Sequence, residues 1–180
     1  METYSVDVAS ILELLGGTIE IDDTFELPHL NVGDEHFVMR EPVRFHVTLT
    51  NGGTGIVGMG TVVAQTTATC ARCLVEFPLT IEAQVDGYYA EPDNRENIPE
   101  EQEVGNLSPQ GHVDILPAIM SALILEAPFA PLHAEDCAGI CPQCGADRNG
   151  ERCGCDADFD SDNPFAALGQ LLGNEPADAE

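Results

Sequence analysis

The stretch TVVAQTTATCARCLVEFPLTIEAQV, residues 61–85, decides the fold that we expect for this chain. Its first nine residues are rich in β-branched side chains and run directly into Cys70. After Cys73, apolar residues alternate with polar ones, with the period of two that marks a half-buried strand. The pattern predicts two strands with the CxxC pair, Cys70 and Cys73, at the tip of the hairpin that joins them.

Strand patterns also dominate the chain before this hairpin. The segments TIEIDDTFEL (18–27) and VRFHVTLT (43–50) alternate in the same way, and the second runs into the turn signal Asn51-Gly52-Gly53. A helical stripe follows only after Asp114, which we expect to cap the helix; its apolar residues are Ile115, Leu116, Ile119, Met120, Leu123 and Ile124. We therefore expect an α+β fold, a curved and mostly antiparallel sheet with one packed helix and zinc-knuckle segments.

The composition along the chain suggests three parts. Residues 1–132 form a β-rich domain with the packed helix, and include an acidic loop over 91–111 that holds six acids and three prolines. Residues 133–155 form a cysteine-rich metal-binding segment. Residues 156–180 form an acidic tail with a short helix that starts at Asn163-Pro164 and exposes Phe165, Leu168 and Leu171.

Charge restricts the partners that the protein can have. Among 180 residues there are 32 Asp plus Glu and six Lys plus Arg, all six being arginine, which gives a formal net charge of −26. A broad basic surface for nucleic acid is excluded, and basic partners are favoured because an acidic surface attracts them. No apolar run reaches the ~18–20 residues of a membrane helix, and the N-terminal residues lack a secretory pattern, so we expect a cytoplasmic protein with no membrane contact.

Seven cysteines in such a chain favour metal or redox chemistry over disulfides, because an odd number cannot pair completely. Two CxxC pairs, Cys70/Cys73 and Cys141/Cys144, have the spacing that directs two sulfurs to one zinc ion. Either the two pairs share one zinc, or every candidate is used in two sites. The two-site alternative divides the donors into Cys70, Cys73, His133 and Cys137, and Cys141, Cys144, Cys153 and Cys155.

No motif for catalysis accompanies these cysteines. The sequence has no GxSxG, no HExxH and no P-loop, so we expect no catalytic residues and no enzyme. The alternative is an iron–sulfur or thiol redox protein, or a zinc-dependent hydrolase that uses the same thiols. Closed four-donor sets are typical of structural zinc, whereas catalytic zinc keeps an open position.

The order of these motifs resembles the YceD-like family, a former domain of unknown function whose members are called large ribosomal RNA subunit accumulation proteins. The resemblance is carried by CARCLVEF, the acidic loop, the DILP helix, PLHAEDCAGICPQCG (131–145) and NPFAAL (163–168). It is specific over 70–90, 112–149 and 163–172. It implies a role in ribosome biogenesis through accumulation of large-subunit ribosomal RNA, without known catalysis.

The resemblance also implies a ligand division and a kind of partner. Members that keep CxRC and HxxxC but lack the second knuckle favour pairing Cys70 and Cys73 with His133 and Cys137. Together with the charge, the family role implies basic ribosomal proteins or assembly factors as partners, with RNA contact at most local, at Arg72 and Arg148. Many members have Asp-Pro-Arg where this chain has Asn163-Pro164-Phe165, which weakens any RNA contact through that arginine.

Overall fold

The computed structural model describes residues 3–92, 103–150 and 153–155. The chain divides into two compact units, Met1–Cys137 and Ala138–Glu180. All helices and strands of the described residues lie in the first unit: β1 Ser5–Asp7, α1 Ala9–Leu12, β2 Thr18–Phe25, β3 His29–Val32, β4 Glu35–Met39, β5 Val43–Asn51, β6 Ile56–Thr69, β7 Glu76–Ala90, β8 Val104–Asn106, β9 His112–Asp114 and α2 Leu116–Glu126.

The hairpin of β6 and β7 is the longest pairing in the sheet. The two strands are antiparallel over their whole length, from Ile56 opposite Tyr89 to Thr69 opposite Glu76. On the other edge of β6, β5 pairs with the first half of the strand and β4 with the second half. β2 extends the sheet beyond β5, β3 extends it beyond β4, and β8 adds a short parallel strand to β7. The hairpin predicted from residues 61–85 is confirmed.

One face of this sheet carries the core because alternate side chains of each strand point to the same side. In β5 the apolar set of the VRFHVTLT pattern is buried, whereas Arg44 and His46 are exposed. In β7, Ile81, Ala83 and Val85 are buried on the same side. Helix α2 contacts β7, β6 and β3, and buries Ile119, Ala122 and Leu123. The sheet and the helix thereby remove each other's apolar surface from water.

The ends of α2 differ slightly from the prediction. Ile115, not Asp114, occupies the N-cap position, and no side chain caps the helix directly. Asp114 ends strand β9, and its Oδ1 accepts hydrogen bonds from the Leu116 N–H at 3.1 Å and the Tyr4 N–H at 2.9 Å. Its carboxylate thus joins the start of α2 to the N-terminal segment, a role that the local sequence does not reveal.

The predicted Asn51-Gly52-Gly53 turn is present and also fixes helix α1. The Asn51 side-chain amide donates to the carbonyl oxygens of Ile11 and Leu12, both at 2.8 Å, and its oxygen accepts from the Gly53 N–H at 2.8 Å. The Ile11 carbonyl also accepts from the Leu14 N–H at 3.1 Å, so the Asn51 amide adds a second bond there and binds the Leu12 carbonyl at the helix end. One asparagine therefore joins the β5–β6 turn to the N-terminal helix.

Two sequence expectations need correction, and one lies outside the described residues. The sheet is mostly antiparallel, as expected, but it is not strongly curled, so the predicted curvature is not supported. Part of the expected acidic loop, Val104–Asn106, is strand β8; Gly105 has no side chain and lies under the Tyr89 ring, where any Cβ would clash. The short helix predicted from Asn163 lies outside the described residues.

No described helix has the length and apolar character needed to cross a membrane.

We predict that Gly60→Ala destabilises the first unit by about 3 kcal/mol or more, because overpacking between paired strands moves the backbone. Gly60 lies opposite Val47 of β5, and an added Cβ would lie 2.0 Å from the His46 carbonyl oxygen and 2.7 Å from the Val47 Cα. Chemical denaturation followed by circular dichroism measures the change. Gly52→Ala is the matched control, because its added Cβ meets nothing closer than 3.5 Å. Equal stability of the two variants would contradict the prediction.

Candidate metal centres

The first candidate centre begins with the loop that joins β6 and β7. The Leu74 N–H donates to the Cys70 carbonyl at 2.9 Å, and the Cys70 N–H donates to the Val75 carbonyl at 2.9 Å. These two bonds close a tight turn, so that the Cys70 and Cys73 sulfurs face the same side. Leu74 completes the turn with a φ of 63°, in the left-handed region that favours glycine.

His133 and Cys137 complete this centre from a segment 60 to 67 residues further along the chain. The His133 Nδ1 lies 3.3 Å from the Cys73 Sγ and 3.4 Å from the Cys70 Sγ, and the two sulfurs of Cys70 and Cys137 are 3.8 Å apart. Sulfurs bound to one tetrahedral zinc at ~2.3 Å lie about 3.8 Å from each other. A disulfide would need about 2.05 Å, so these donors have metal-site rather than disulfide spacing.

Interactions around the donors hold the two segments together. The Arg72 guanidinium donates through Nη1 to the carbonyl of Glu135 at 3.2 Å and to that of Cys137 at 3.0 Å. The Ala71 N–H donates to the Pro131 carbonyl at 2.8 Å. The Phe77 ring contacts the His133 ring edge-on at a centroid distance of 6.4 Å. Arg72 is thus a positioning residue for the donors, a role that the sequence analysis missed because the carbonyls it meets are distant in sequence.

The second candidate centre lies in the second unit and repeats the same turn. The Gly145 N–H donates to the Cys141 carbonyl at 2.8 Å, and the Cys141 N–H donates to the Ala146 carbonyl at 2.8 Å. Gly145 has a φ of 73°, so glycine occupies the position that Leu74 has in the first turn. The sulfurs of Cys141, Cys144, Cys153 and Cys155 all lie within 4.8 Å of one another, as do the donors of the first centre.

Little besides these cysteines holds the described part of the second unit together. Only Gly139 and Cys141 are buried there, and its one large apolar side chain, Ile140, is 39% exposed. Hydrogen bonds help: the Asn149 side chain accepts from the Ala138 N–H at 2.7 Å, and the Arg148 N–H donates to the Gly139 carbonyl at 2.9 Å. So small an apolar core is typical of modules that fold around a metal ion.

The thiols of each cluster affect one another's ionisation. Burial raises the pKa of Cys70, but hydrogen bonds from the His133 ring and from backbone N–H groups outweigh it and lower the pKa to about 5. Burial and the neighbouring sulfurs raise the pKa of Cys73 to about 11. In the second cluster, backbone hydrogen bonds lower the pKa of Cys141 to about 6, and the Cys144 sulfur raises that of Cys155 to about 12. A bound divalent cation removes this mutual repulsion and allows all the thiols to ionise.

The structure groups all eight donors named from the sequence into the two sets of the two-site alternative. Each CxxC pair finds two further donors within its own unit, so neither pair needs the other to complete four ligands. Both sets are able to hold a metal ion, and all seven cysteines are free of disulfides.

These features define a class of protein: a mostly antiparallel β unit with a cysteine–histidine centre at the end of its longest hairpin, followed by a small four-cysteine unit. The family model described as "Large ribosomal RNA subunit accumulation protein YceD" matches residues 59–172, which include both centres. The chain belongs to the YceD family, and the resemblance stated from its motifs is confirmed.

Among curated proteins, the chain is similar to uncharacterized proteins of mycobacteria. Those of Mycobacterium bovis and Mycobacterium tuberculosis are each 32% identical over 144 residues, which cover 78% of this chain and 69% of the relative. One of Mycobacterium leprae is 27% identical over 104 residues, which cover 58% of this chain and 48% of the relative. No solved structure matches the chain.

We predict that Leu74→Gly raises the free energy of unfolding by up to about 1 kcal/mol, because glycine adopts the left-handed conformation without the steric cost that leucine bears. The Leu74 side chain is 62% exposed, so its removal loses little buried surface. Val75→Gly is the control, since Val75 is adjacent and exposed but has no positive φ. Denaturation of the metal-loaded chain measures both. A less stable Leu74→Gly variant would contradict the prediction.

Proposed function

We propose that this protein is a non-enzymatic, zinc-binding factor of ribosome biogenesis that supports the accumulation of large-subunit ribosomal RNA in the cytoplasm. Its membership of the YceD family is the observation that carries the proposal, because the family's description names this role. The two donor sets support the structural use of the metal: each already has four Cys or His donors and leaves no position for a catalytic water.

Zinc fits the two sets better than other common metals. Thiolate and imidazole ligands at tetrahedral spacing suit zinc, whereas magnesium and calcium prefer oxygen. Iron–sulfur chemistry uses the same thiols, but the first set includes a histidine nitrogen among its four donors. In our proposal zinc ties the hairpin tip to the 133–137 segment in one unit and supplies most of the folding energy of the other.

The charge supports a protein partner rather than a broad RNA contact. With a net charge of −26 the chain repels phosphate, and long-range attraction favours basic ribosomal proteins or basic assembly factors. Arg72, one of the two arginines considered for local RNA contact, donates to the carbonyls of Glu135 and Cys137. We therefore propose that the protein acts on large-subunit RNA indirectly, through a basic partner.

The metal content of the purified chain tests the ligand division. We predict two zinc ions per chain, one for each donor set, and one zinc ion in either Cys73→Ser or Cys144→Ser. A single site shared by the two CxxC pairs instead predicts one zinc ion, lost in both variants. Elemental analysis of protein purified without chelators measures this, with Ala71→Ser as the control inside the first turn.

Two further results of this experiment would contradict the assignment. Purified protein that contains no metal would contradict the proposal that the chain binds zinc. A brown protein with visible absorbance would instead favour an iron–sulfur centre. With zinc bound, we expect a strong chelator to increase protease cleavage within 138–150 and to leave the β sheet folded, because that sheet has its own apolar core. Circular dichroism of the chelated chain checks the second part.

Depletion in the native host tests the cellular role. We predict that large-subunit ribosomal RNA falls relative to small-subunit RNA, and that the wild-type and Ala71→Ser chains restore it. A chain with both Cys73→Ser and Cys144→Ser should restore it poorly, because both units then lack a complete donor set. Quantification of the two RNAs by electrophoresis and sequencing measures the ratio. An unchanged ratio after depletion would refute the assembly role.

A further inference from the structure

A cavity of ≈ 360 Å³ lies between strands β7 and β8 and the first turns of α2, within the first unit. Its volume is at the small end of the ~300–1,000 Å³ usual for ligand pockets. The residues that matter for its chemistry are polar: Asp86, Tyr89, Glu103, Asn106, Asp114 and Ser121. None of these belongs to either candidate metal centre.

Tyr89 provides a buried polar group at this cavity. The residue is only 3% exposed, yet its hydroxyl makes no hydrogen bond among the described residues. Two glycines of the cavity wall place the ring: an added Cβ on Gly105 would lie 2.4 Å from its Cδ1, and one on Gly87 would lie 2.7 Å from its Oη. The hydroxyl is therefore directed over Gly87, at the cavity, by residues that have no side chain of their own.

The electrostatics of the cavity favour a positive group. Among the described residues, the carboxylates of Asp86, Glu103 and Asp114 line it, and no lysine, arginine or histidine does. Burial, and then the negative charge of Asp114, raise the pKa of Tyr89 to about 12, so the hydroxyl is neutral at physiological pH. A neutral hydroxyl oxygen and carboxylates are hydrogen-bond acceptors for a cation, whereas an anion would be repelled.

We propose that this cavity binds the cationic end of a basic side chain, the guanidinium of an arginine or the ammonium of a lysine, presented by the partner protein. The inference deepens the proposed function and rests on it for the class of partner, a basic protein. Glu103 and Asp86 are exposed and attract the side chain at the entrance, while half-buried Asp114 and Ser121 and buried Tyr89 supply acceptors inside. In the free protein the buried Tyr89 hydroxyl has no hydrogen bond among the described residues, which costs free energy. The bound cation donates that hydrogen bond, so the cost is offset in the complex.

Single blocked amino acids test the site without any knowledge of the partner. The probes are N-acetyl-arginine amide, N-acetyl-lysine amide and neutral N-acetyl-citrulline amide, titrated into the metal-loaded full chain at low ionic strength. We expect saturable shifts of the Gly87, Gly105 and Ser121 amide NMR signals with a cationic probe, with a Kd on the order of millimolar. Whether arginine or lysine binds more tightly identifies the source of the cation.

Three variants connect binding to this cavity. Tyr89→Phe should weaken binding about tenfold or more, because it removes an acceptor for a charged donor, and its Tm should not fall, since the lost hydroxyl has no partner among the described residues. Glu103→Gln should weaken binding about fivefold. Glu82→Gln is the matched control: it makes the same charge change at an exposed position of β7 outside the cavity and should bind as the wild type does.

Several results would overturn the inference. Citrulline shifting the same amides as strongly as arginine would show that charge is not recognised. If Glu103→Gln and Glu82→Gln weakened probe binding equally, the effect would come from net charge alone. If neither cationic probe caused saturable shifts, the cavity would not be a binding site for a basic side chain. These measurements are independent of the cellular role: an unchanged RNA ratio after depletion refutes the proposed function only, and absent binding with normal dependence of the RNA on the protein refutes the cavity only.

Discussion

The pairing of β6 with β7 is the constraint on which the rest of the first unit depends. Their register runs without interruption from Ile56–Tyr89 to Thr69–Glu76, which corresponds to roughly 45 Å at ~3.4 Å per residue. At one end the turn presents Cys70 and Cys73, and at the other Tyr89 lies over the glycines of the cavity. A slip of one residue would move every core side chain of β7 to the opposite face and would misplace both sites together.

A shortage of positive charge is common to the chemistry of all three sites. The neighbouring sulfurs raise the pKa of Cys73 and of Cys155, and the Asp114 carboxylate adds to the raised pKa of the buried Tyr89 hydroxyl. The chain has six arginines against 32 acids, so it has little positive charge of its own. In our proposals the positive charge comes from outside, as metal ions at the cysteines and as a basic side chain at the cavity. Net acidity is thus consistent with a protein that works by accepting cations.

Several elements were predictable because their signals are local. The alternation in residues 61–85 predicted the hairpin, and the apolar stripe after Asp114 predicted α2. The short strands β8 and β9 were not predictable, since three residues carry no measurable period and Val104–Asn106 lies in an acidic, proline-containing stretch. Strand β8 depends on a contact with a distant segment, the fit of Gly105 beneath the Tyr89 ring. The local sequence of the strand does not signal this contact.

The sequence by itself determined the chemistry: two CxxC turns, eight sulfur and imidazole donors, a large negative charge and an alternating hairpin. Spacing over three residues is enough for that, because a tight turn fixes where two neighbouring side chains point. Only the tertiary structure decided which donors come together, since His133 lies beside Cys73 across 60 residues. It also decided that the Tyr89 hydroxyl is buried without a hydrogen-bond partner among the described residues. The physical reason is that contacts between distant residues, and the burial of a group among them, depend on strand register and on the burial of apolar surface. Both are set by the packing of distant segments rather than by any local pattern.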